Sequence, residues 1–331
     1  MKKTIAIILT ILILSTCFIF LLACDNTKND NVIKLNETTH SVFYAPLYAA
    51  IGLGYFKEYN LTIELTNGGG SDKSMTALIS GNADIALLGP ETSVYVKSQG
   101  STNTAKIFAQ LTQKDGSFLI GRNKEDNFKW TDLKGKEIIG GRQGGMPAMC
   151  LEYAVAQNGL VDGTDVFINY DVQFDLITAA FEGGKGDYCT MFEPAASQYE
   201  AEGKGYIVSS VGAEVGNIAY TCFMATEQYI KDNRNKISDF TKAIIKGIDY
   251  CKTHTSTEIA EAIKGSFPTT DKTLLIKALD SYIAIDSWTS IPYMSENSFN
   301  QLQDVLLRAG TIKSKINYND VVDNSIIDDI L

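Results

Sequence analysis

Histidine is nearly absent from this chain: 331 residues contain only His40 and His254. No H-E-x-x-H or other paired metal spacing can be built from them, and no G-x-S-x-G elbow occurs, so neither zinc hydrolysis nor serine-elbow chemistry has a local motif. Six cysteines are present without any C-x-x-C spacing, which leaves no metal or redox signature; Cys150, Cys189, Cys222 and Cys251 read as buried free thiols, with a disulfide among them as the alternative the spacing leaves open. Positive charge is also scarce. The formal net charge is −10, and −12 once Lys2 and Lys3 are left out, whereas nucleic acid and anionic lipid need a basic footprint. A nucleotide loop is missing as well. The Gly-rich stretch TNGGGSDKS, Thr66 to Ser74, sets Asp72 rather than Gly before Lys73 and lacks the G-x-G-x-x-G spacing. Its glycines mark a close turn from strand to helix, with Ser71 or Asp72 as the expected helix cap. No enzyme activity, cofactor or metal is therefore expected.

What is present begins with a basic start, Lys2 and Lys3, followed by an apolar run from Ile5 to Phe20 and then LLACDN. That order describes an export signal over residues 1–23, although the run is also long enough for a membrane helix. L-L-A-C resembles the bacterial lipobox, in which Cys24 becomes the lipid-bearing first residue. The polar stretch over 24–31 then reads as a tether holding a domain off the membrane.

Strand and helix patterns alternate through the first two thirds, which predicts α/β architecture with largely parallel sheets. The length after the signal exceeds one comfortable core, so two lobes are expected. MTALISGNADIALLGPETS and LITAAFEGGKGDYCTMFEPAAS share one order: short helix, Gly break, Asp, apolar strand, proline-opened helix. The last third turns helical and must pack on an existing lobe; Ile237, Phe240, Ile244 and Ile248 mark one apolar helix face, and Thr255 with Glu258 has capping-box spacing. The expected division is 32–121 plus 221–331 for lobe 1 and 122–220 for lobe 2, joined by two crossing strands around a cleft.

In such sheets ligands bind beyond the carboxyl ends of strands, against helix N-termini. Those positions are His40, Tyr44, Gly70, Ser71, Gly89, Glu91 and Gln110 in lobe 1, and Arg142, Gly145, Met146, Gln173, Phe192 and Glu193 in lobe 2. Aromatics, amides, an arginine and two carboxylates suit a small, flat or polar molecule. His254 reads as solvated surface, and each aromatic taken singly reads equally well as core.

APLYAAIGLGYFKEYNLTIEL, the GGG turn, ALISGNADIAL and WTDLKGKEIIGGRQGG resemble the substrate-binding proteins of bacterial ABC importers. The branch is the one that holds nitrate, taurine, aliphatic-sulfonate and thiamine-pyrimidine-precursor binders. The resemblance implies a two-lobed periplasmic-binding-protein-like fold of type II that closes on one small ligand. It also implies a lipid-anchored monomer on the outer face of the cytoplasmic membrane, which delivers its ligand to a permease with a cytoplasmic ATPase. It leaves the ligand open. An anion would use Ser71, the amides of Gly144 and Gly145, and Arg142. An inward-pointing Glu193 would instead favour an aminopyrimidine or similar heterocycle stacked by Tyr44 or Phe192, the reading preferred from the sequence. Two rivals are a ligand-sensing lipoprotein and the fungal pyrimidine-forming enzymes of this fold, whose clustered cysteine motif this chain lacks.

Overall fold

The computed structural model describes residues 31–101 and 104–331; the expected signal and Cys24, and all but the last residue of the tether, lie outside them. Chain order begins β1 (Val32–Glu37), α1 (Ala45–Gly52), α2 (Tyr55–Glu58), β2 (Thr62–Asn67), α3 (Ser71–Ile79), β3 (Ile85–Leu88), α4 (Glu91–Ser98) and β4 (Ala105–Thr112). It continues with β5 (Ser117–Gly121), β6 (Glu137–Ile139), α5 (Met146–Gln157), β7 (Phe167–Asn169), α6 (Ile177–Glu182), β8 (Tyr188–Phe192), α7 (Ala195–Ala201), β9 (Tyr206–Ser210) and α8 (Val211–Val215). Next come β10 (Thr221–Thr226), α9 (Glu227–Asp232) and α10 (Arg234–Thr253). The remaining helices are α11 (Ser256–Ile263), α12 (Lys272–Ala284), α13 (Glu296–Arg308), α14 (Tyr318–Val321) and α15 (Ser325–Ile330).

The strands form two five-stranded sheets of matching design, β2-β1-β3-β10-β4 and β7-β6-β8-β5-β9. In each, parallel pairs made by βαβ units (β1 with β3, β6 with β7 and β8) meet one antiparallel strand that has crossed from the other half of the chain. β10 runs antiparallel between β3 and β4, and β5 antiparallel between β8 and β9. The first crossing thus falls at 113–116, before β5, and not near Arg122: SFLIG pairs with Tyr188–Phe192 and belongs to the second sheet. β9 and α8 carry no strong period and were not expected. β9 is the edge strand, only partly buried along its length, so it needs no apolar alternation. The crossing segments are hydrogen-bonded to each other, with Ile218 N–H to Gln113 O at 2.9 Å and Thr221 N–H to Thr112 Oγ1 at 2.9 Å.

From Ile33 to Leu331 the chain packs as one compact unit. The helical last third is fastened to the first lobe by α10 and α11, which lie on α1. Ile237, Phe240, Ile244 and Ile248 are all buried there, each side chain contributing roughly 1.5–3 kcal/mol. Close approach is possible because Gly247 lacks a Cβ, which would overlap the carbonyl of Pro46. The Thr255–Glu258 capping box opens α11 as the spacing predicts. The tail also reaches the second lobe, α12 against α7 and α13 against α5.

Candidate functional site

Parallel strands β1 and β3 from one sheet and β6 and β8 from the other end at a common cleft. It is a narrow, solvent-open space with room for about 50 Å³ of water-sized volume, walled by Tyr44, Phe174, Phe192 and Tyr220 and lined also by Glu91. Of the residues expected from sequence, Tyr44, Gly70, Ser71, Gly89, Glu91, Arg142, Gly145, Met146 and Phe192 all line this cleft.

The Gly-rich turn is built for space and backbone shape. A Cβ on Gly68 would overlap the Ser74 hydroxyl and Asn36 Oδ1, while Gly69 and Gly70 adopt φ of +70° and +149°, values that L side chains resist. Ser71 does not cap α3, contrary to expectation: Gly70 holds the cap position, without a side-chain bond, and Ser71 is the first helical residue. Its hydroxyl accepts the Gly89 N–H at 3.1 Å and meets Thr38 Oγ1 at 3.3 Å, tying together the ends of β1 and β3.

Glu91 is the least ordinary group in the cleft. It opens α4 directly after Pro90, is fully buried, and neither carboxylate oxygen has a partner at full hydrogen-bond geometry, although the N–H groups of Glu91 and Met146 lie close enough to favour the charged form. Gly89 makes room for it, since a Cβ there would overlap the carboxylate. Burial pushes its pKa up to about 8; the N–H groups of Glu91 and Met146 and the Arg142 guanidinium offset only part of that, and Asp72 opposes them. A buried carboxyl of this kind is costly unless something pairs with it.

At the rim the lobes touch through three polar contacts. Arg142 Nε lies 3.7 Å from Asp72 Oδ1, Lys73 Nζ 3.6 Å from Asp175 Oδ2, and the Tyr95 hydroxyl donates to Gly144 O at 2.9 Å. Both ion pairs are partly exposed, so each is worth well under about 1 kcal/mol.

Four expected residues stand elsewhere. Glu193, the carboxylate preferred for an amino group, is spent inside the protein: it accepts from Ser197 N–H at 2.9 Å, Ser197 Oγ at 2.7 Å and Ser281 Oγ at 3.2 Å. It follows β8 and turns back over its own helix α7, away from the cleft that Phe192 faces. His40 also points away. Its Nδ1 lies 2.7 Å from Glu37 Oε1 and its Nε2 2.7 Å from Ser266 O, with its ring tilted on Phe267; the hydrogen bond to Glu37 raises its pKa. Gln110 is buried in β4 and donates to Thr112 O at 3.1 Å, and Gln173 is exposed at the cap of a short 3-10 turn. Tyr220 and the pair Thr38–Thr39 join the cleft without having been singled out. Tyr220 sits on the returning crossing segment, where a hinge was expected, which was the available signal.

The NMT1/THI5-like family model matches residues 42–257. The chain belongs to the NMT1/THI5-like family. Within reach of that family is the "Putative binding protein YtlA" of Bacillus subtilis (strain 168), 39% identical over 310 residues, 94% of this chain and 93% of the relative. Among solved structures, the nitrate-binding protein NrtA of Synechocystis PCC 6803 aligns at a TM-score of 0.73 and 14% identity, over 90% of this chain and 88% of its own. The alkanesulfonate-binding protein SsuA of Xanthomonas axonopodis pv. citri, bound to MOPS, aligns at 0.72 and 14%, over 88% and 98%. At such identities the likeness speaks for the fold: this NMT1/THI5-like chain has the two-lobed, type II periplasmic-binding-protein architecture. All four cysteines among the described residues are free and buried, as their spacing predicts.

Proposed function

We propose that this NMT1/THI5-like protein is the solute-binding component of an ABC importer, and that it captures a small aminated heterocycle through Glu91. The observation that carries the ligand class is the buried, unpartnered Glu91 carboxyl at the floor of an aromatic cleft. A carboxyl with pKa about 8 offers one donor and one acceptor while protonated. That edge is complementary to an amino group beside a ring nitrogen, and a basic ring can take its proton to leave a charge-assisted pair. Tyr44 and Phe192 supply flat apolar surface for the ring. Glu91 thus takes the part that the sequence reading gave to Glu193.

An anionic ligand is the second reading, favoured by Arg142 on the cleft wall and by the sulfonate and nitrate ligands named for two neighbours of the fold. It places a negative charge beside Asp72, and beside Glu91 wherever that carboxyl is ionised, which is costly in a desolvated cleft. A binding role, rather than catalysis, accords with the name of the 39% identical relative. Lipid anchoring through Cys24 on the outer face of the cytoplasmic membrane, action as a monomer, and handover to a permease and its ATPase belong to the same proposal.

Native mass spectrometry of the protein purified without refolding tests the reading. A co-purifying aminated nitrogen heterocycle supports it; a sulfonate or nitrate overturns the ligand class and shifts the work to Arg142 and the helix N-termini.

A further inference from the structure

Both ring nitrogens of His40 face acceptors: Nδ1 lies 2.7 Å from Glu37 Oε1, and Nε2 lies 2.7 Å from the Ser266 carbonyl. A neutral imidazole has one N–H and cannot donate to both, so the geometry requires the imidazolium. Glu37 is 1% exposed, and its second oxygen accepts from the Tyr48 hydroxyl at 2.6 Å; the His40 charge is what balances this buried carboxylate. Phe267, beside Ser266, closes the cluster by packing on the His40 and Tyr48 rings, with centroids 4.7 and 5.0 Å away. The His40 side chain is still 37% exposed, so it exchanges its proton with solvent directly. Two routes to the hinge meet here. Along the chain from His40, Ser41 Oγ donates to Glu193 O in lobe 2 at 2.5 Å, Phe43 O accepts from Trp288 Nε1 at 2.9 Å, and Tyr44 forms the cleft wall. From Ser266 the turn 264–271 leads into α12, whose Tyr282 hydroxyl accepts from Glu193 N–H at 2.9 Å and donates to Gly116 O, in the first crossing segment, at 3.0 Å.

We infer that His40 is a proton-operated clasp: as an imidazolium it ties the α11–α12 turn to the end of β1, and on losing its proton it releases Ser266 and slackens both routes to the hinge. The neutral ring keeps its N–H on Glu37, because a bond to a carboxylate outlasts one to a carbonyl. Nε2 then presents a lone pair to Ser266 O, and two acceptors face each other. The hydrogen bond to Glu37 leads in raising the His40 pKa above 6.5, against burial, and Ser266 O adds to it. The clasp is therefore shut below 6.5 and opens as pH rises through the raised value. Glu37 is the only charged group among the causes of that shift, and burial holds the Tyr48 hydroxyl protonated throughout. Asp175 and Glu193 line a cavity with His40 but are engaged by Lys73 and Ser197, and Lys264 and Lys272 at the ends of the turn pair with Glu261. The clasp does not depend on which ligand the cleft takes.

Hydrogen exchange of the full chain, followed by mass spectrometry from pH 6 to 9 and corrected for the intrinsic rate, reads the clasp. In the natural chain, protection of residues 264–271 and 38–44 should fall about tenfold or more across this range. Glu37→Gln is the deciding variant. Its amide N–H can donate to Nδ1 of a neutral ring, whose Nε2–H then serves Ser266, so protection should hold at its pH 6 level up to pH 9. Glu91 titrates in the same range but is intact in that variant, so the difference belongs to the clasp. His40→Ala should show low protection of the turn at every pH. A side-chain NMR titration checks the natural chain alone, which has only two histidines: His40 should titrate above 6.5, at the midpoint where protection is lost. Protection that is flat with pH in the natural chain, protection that still falls in Glu37→Gln, or a His40 midpoint at or below 6.5 overturns the clasp and leaves the reading of the cleft standing.

Discussion

Glu91 and Glu193 occupy matching places in the two lobes and have opposite fates. Each follows the third parallel-type strand of its sheet, β3 or β8, and each stands next to a proline at the start of a helix. In lobe 1 the order is Gly89-Pro90-Glu91, so the carboxylate lies inside the first helical turn and projects over the side-chain-free Gly89 into the cleft. In lobe 2 the order is Phe192-Glu193-Pro194. The carboxylate then precedes the helix and folds onto the N–H and hydroxyl of Ser197, where it serves the helix N-terminus. Exchanging the order of two residues decides whether a carboxylate lines the cleft or is consumed by the fold.

The largest expected difference between the two is in pH dependence. Glu91 titrates at about 8 in the folded chain against 4.5 ordinarily, so the native state holds more protons than the unfolded one between those values. Stability therefore falls as pH rises through that window, by up to about 1.4 kcal/mol per unit of raised pKa. Asp115, lifted by burial to about 6, acts with the same sign but only below that pH. His40, raised from 6.5 by its hydrogen bond to Glu37, acts with the same sign above 6.5, so the Glu91 contribution is read between pH 6 and 8 as the part of the urea-unfolding slope that Glu91→Gln removes, with the His40 part remaining. An unchanged slope would mean that Glu91 is hydrated and no longer distinct from a surface carboxylate.

Ligand affinity should separate the pair next. Glu91→Gln keeps the volume but cannot form the charge-assisted pair, and should weaken binding of the co-purified heterocycle about tenfold to hundredfold. Glu193→Gln should leave affinity within a few-fold and cost about 1–3 kcal/mol of folding stability through its lost Ser197 contacts. Calorimetry and denaturation of both variants settle the comparison; if Glu193→Gln lost affinity instead, the assignment would be reversed.

The elements themselves were legible because their signals are local. Pro90 and Pro147 at helix starts, the alternation of LTIELT, and the Thr255–Glu258 box all need only neighbouring residues, and all appear where expected. What was not legible depends on partners distant in sequence. SFLIG reads as a strand, but its assignment to the second sheet comes from pairing with residues about seventy positions later. His40 has the look of a cleft residue until Ser266, 226 positions away, claims its ring. Glu193 and Glu91 were both in the expected set; choosing between them required knowing that Ser281 and Ser197 would satisfy the first while no side chain hydrogen-bonds the second.

The smallest effect concerns the rim, where the anionic and the aminated readings part most cheaply. Arg142 faces Asp72 across the cleft at 3.7 Å with about a third of its side chain exposed, so Arg142→Gln should cost well under about 1 kcal/mol of stability. On the aminated reading Arg142 acts by lowering the Glu91 pKa. Removing it should raise that pKa, leave heterocycle affinity within about threefold, and reduce the salt dependence of binding. On the anionic reading the same substitution removes the cation that opposes the ligand charge, and affinity for a sulfonate probe should fall by two orders of magnitude or about 3 kcal/mol. Titrating Arg142→Gln with cytosine and with taurine in parallel therefore tells whether charge at the rim or the carboxyl at the floor selects the ligand.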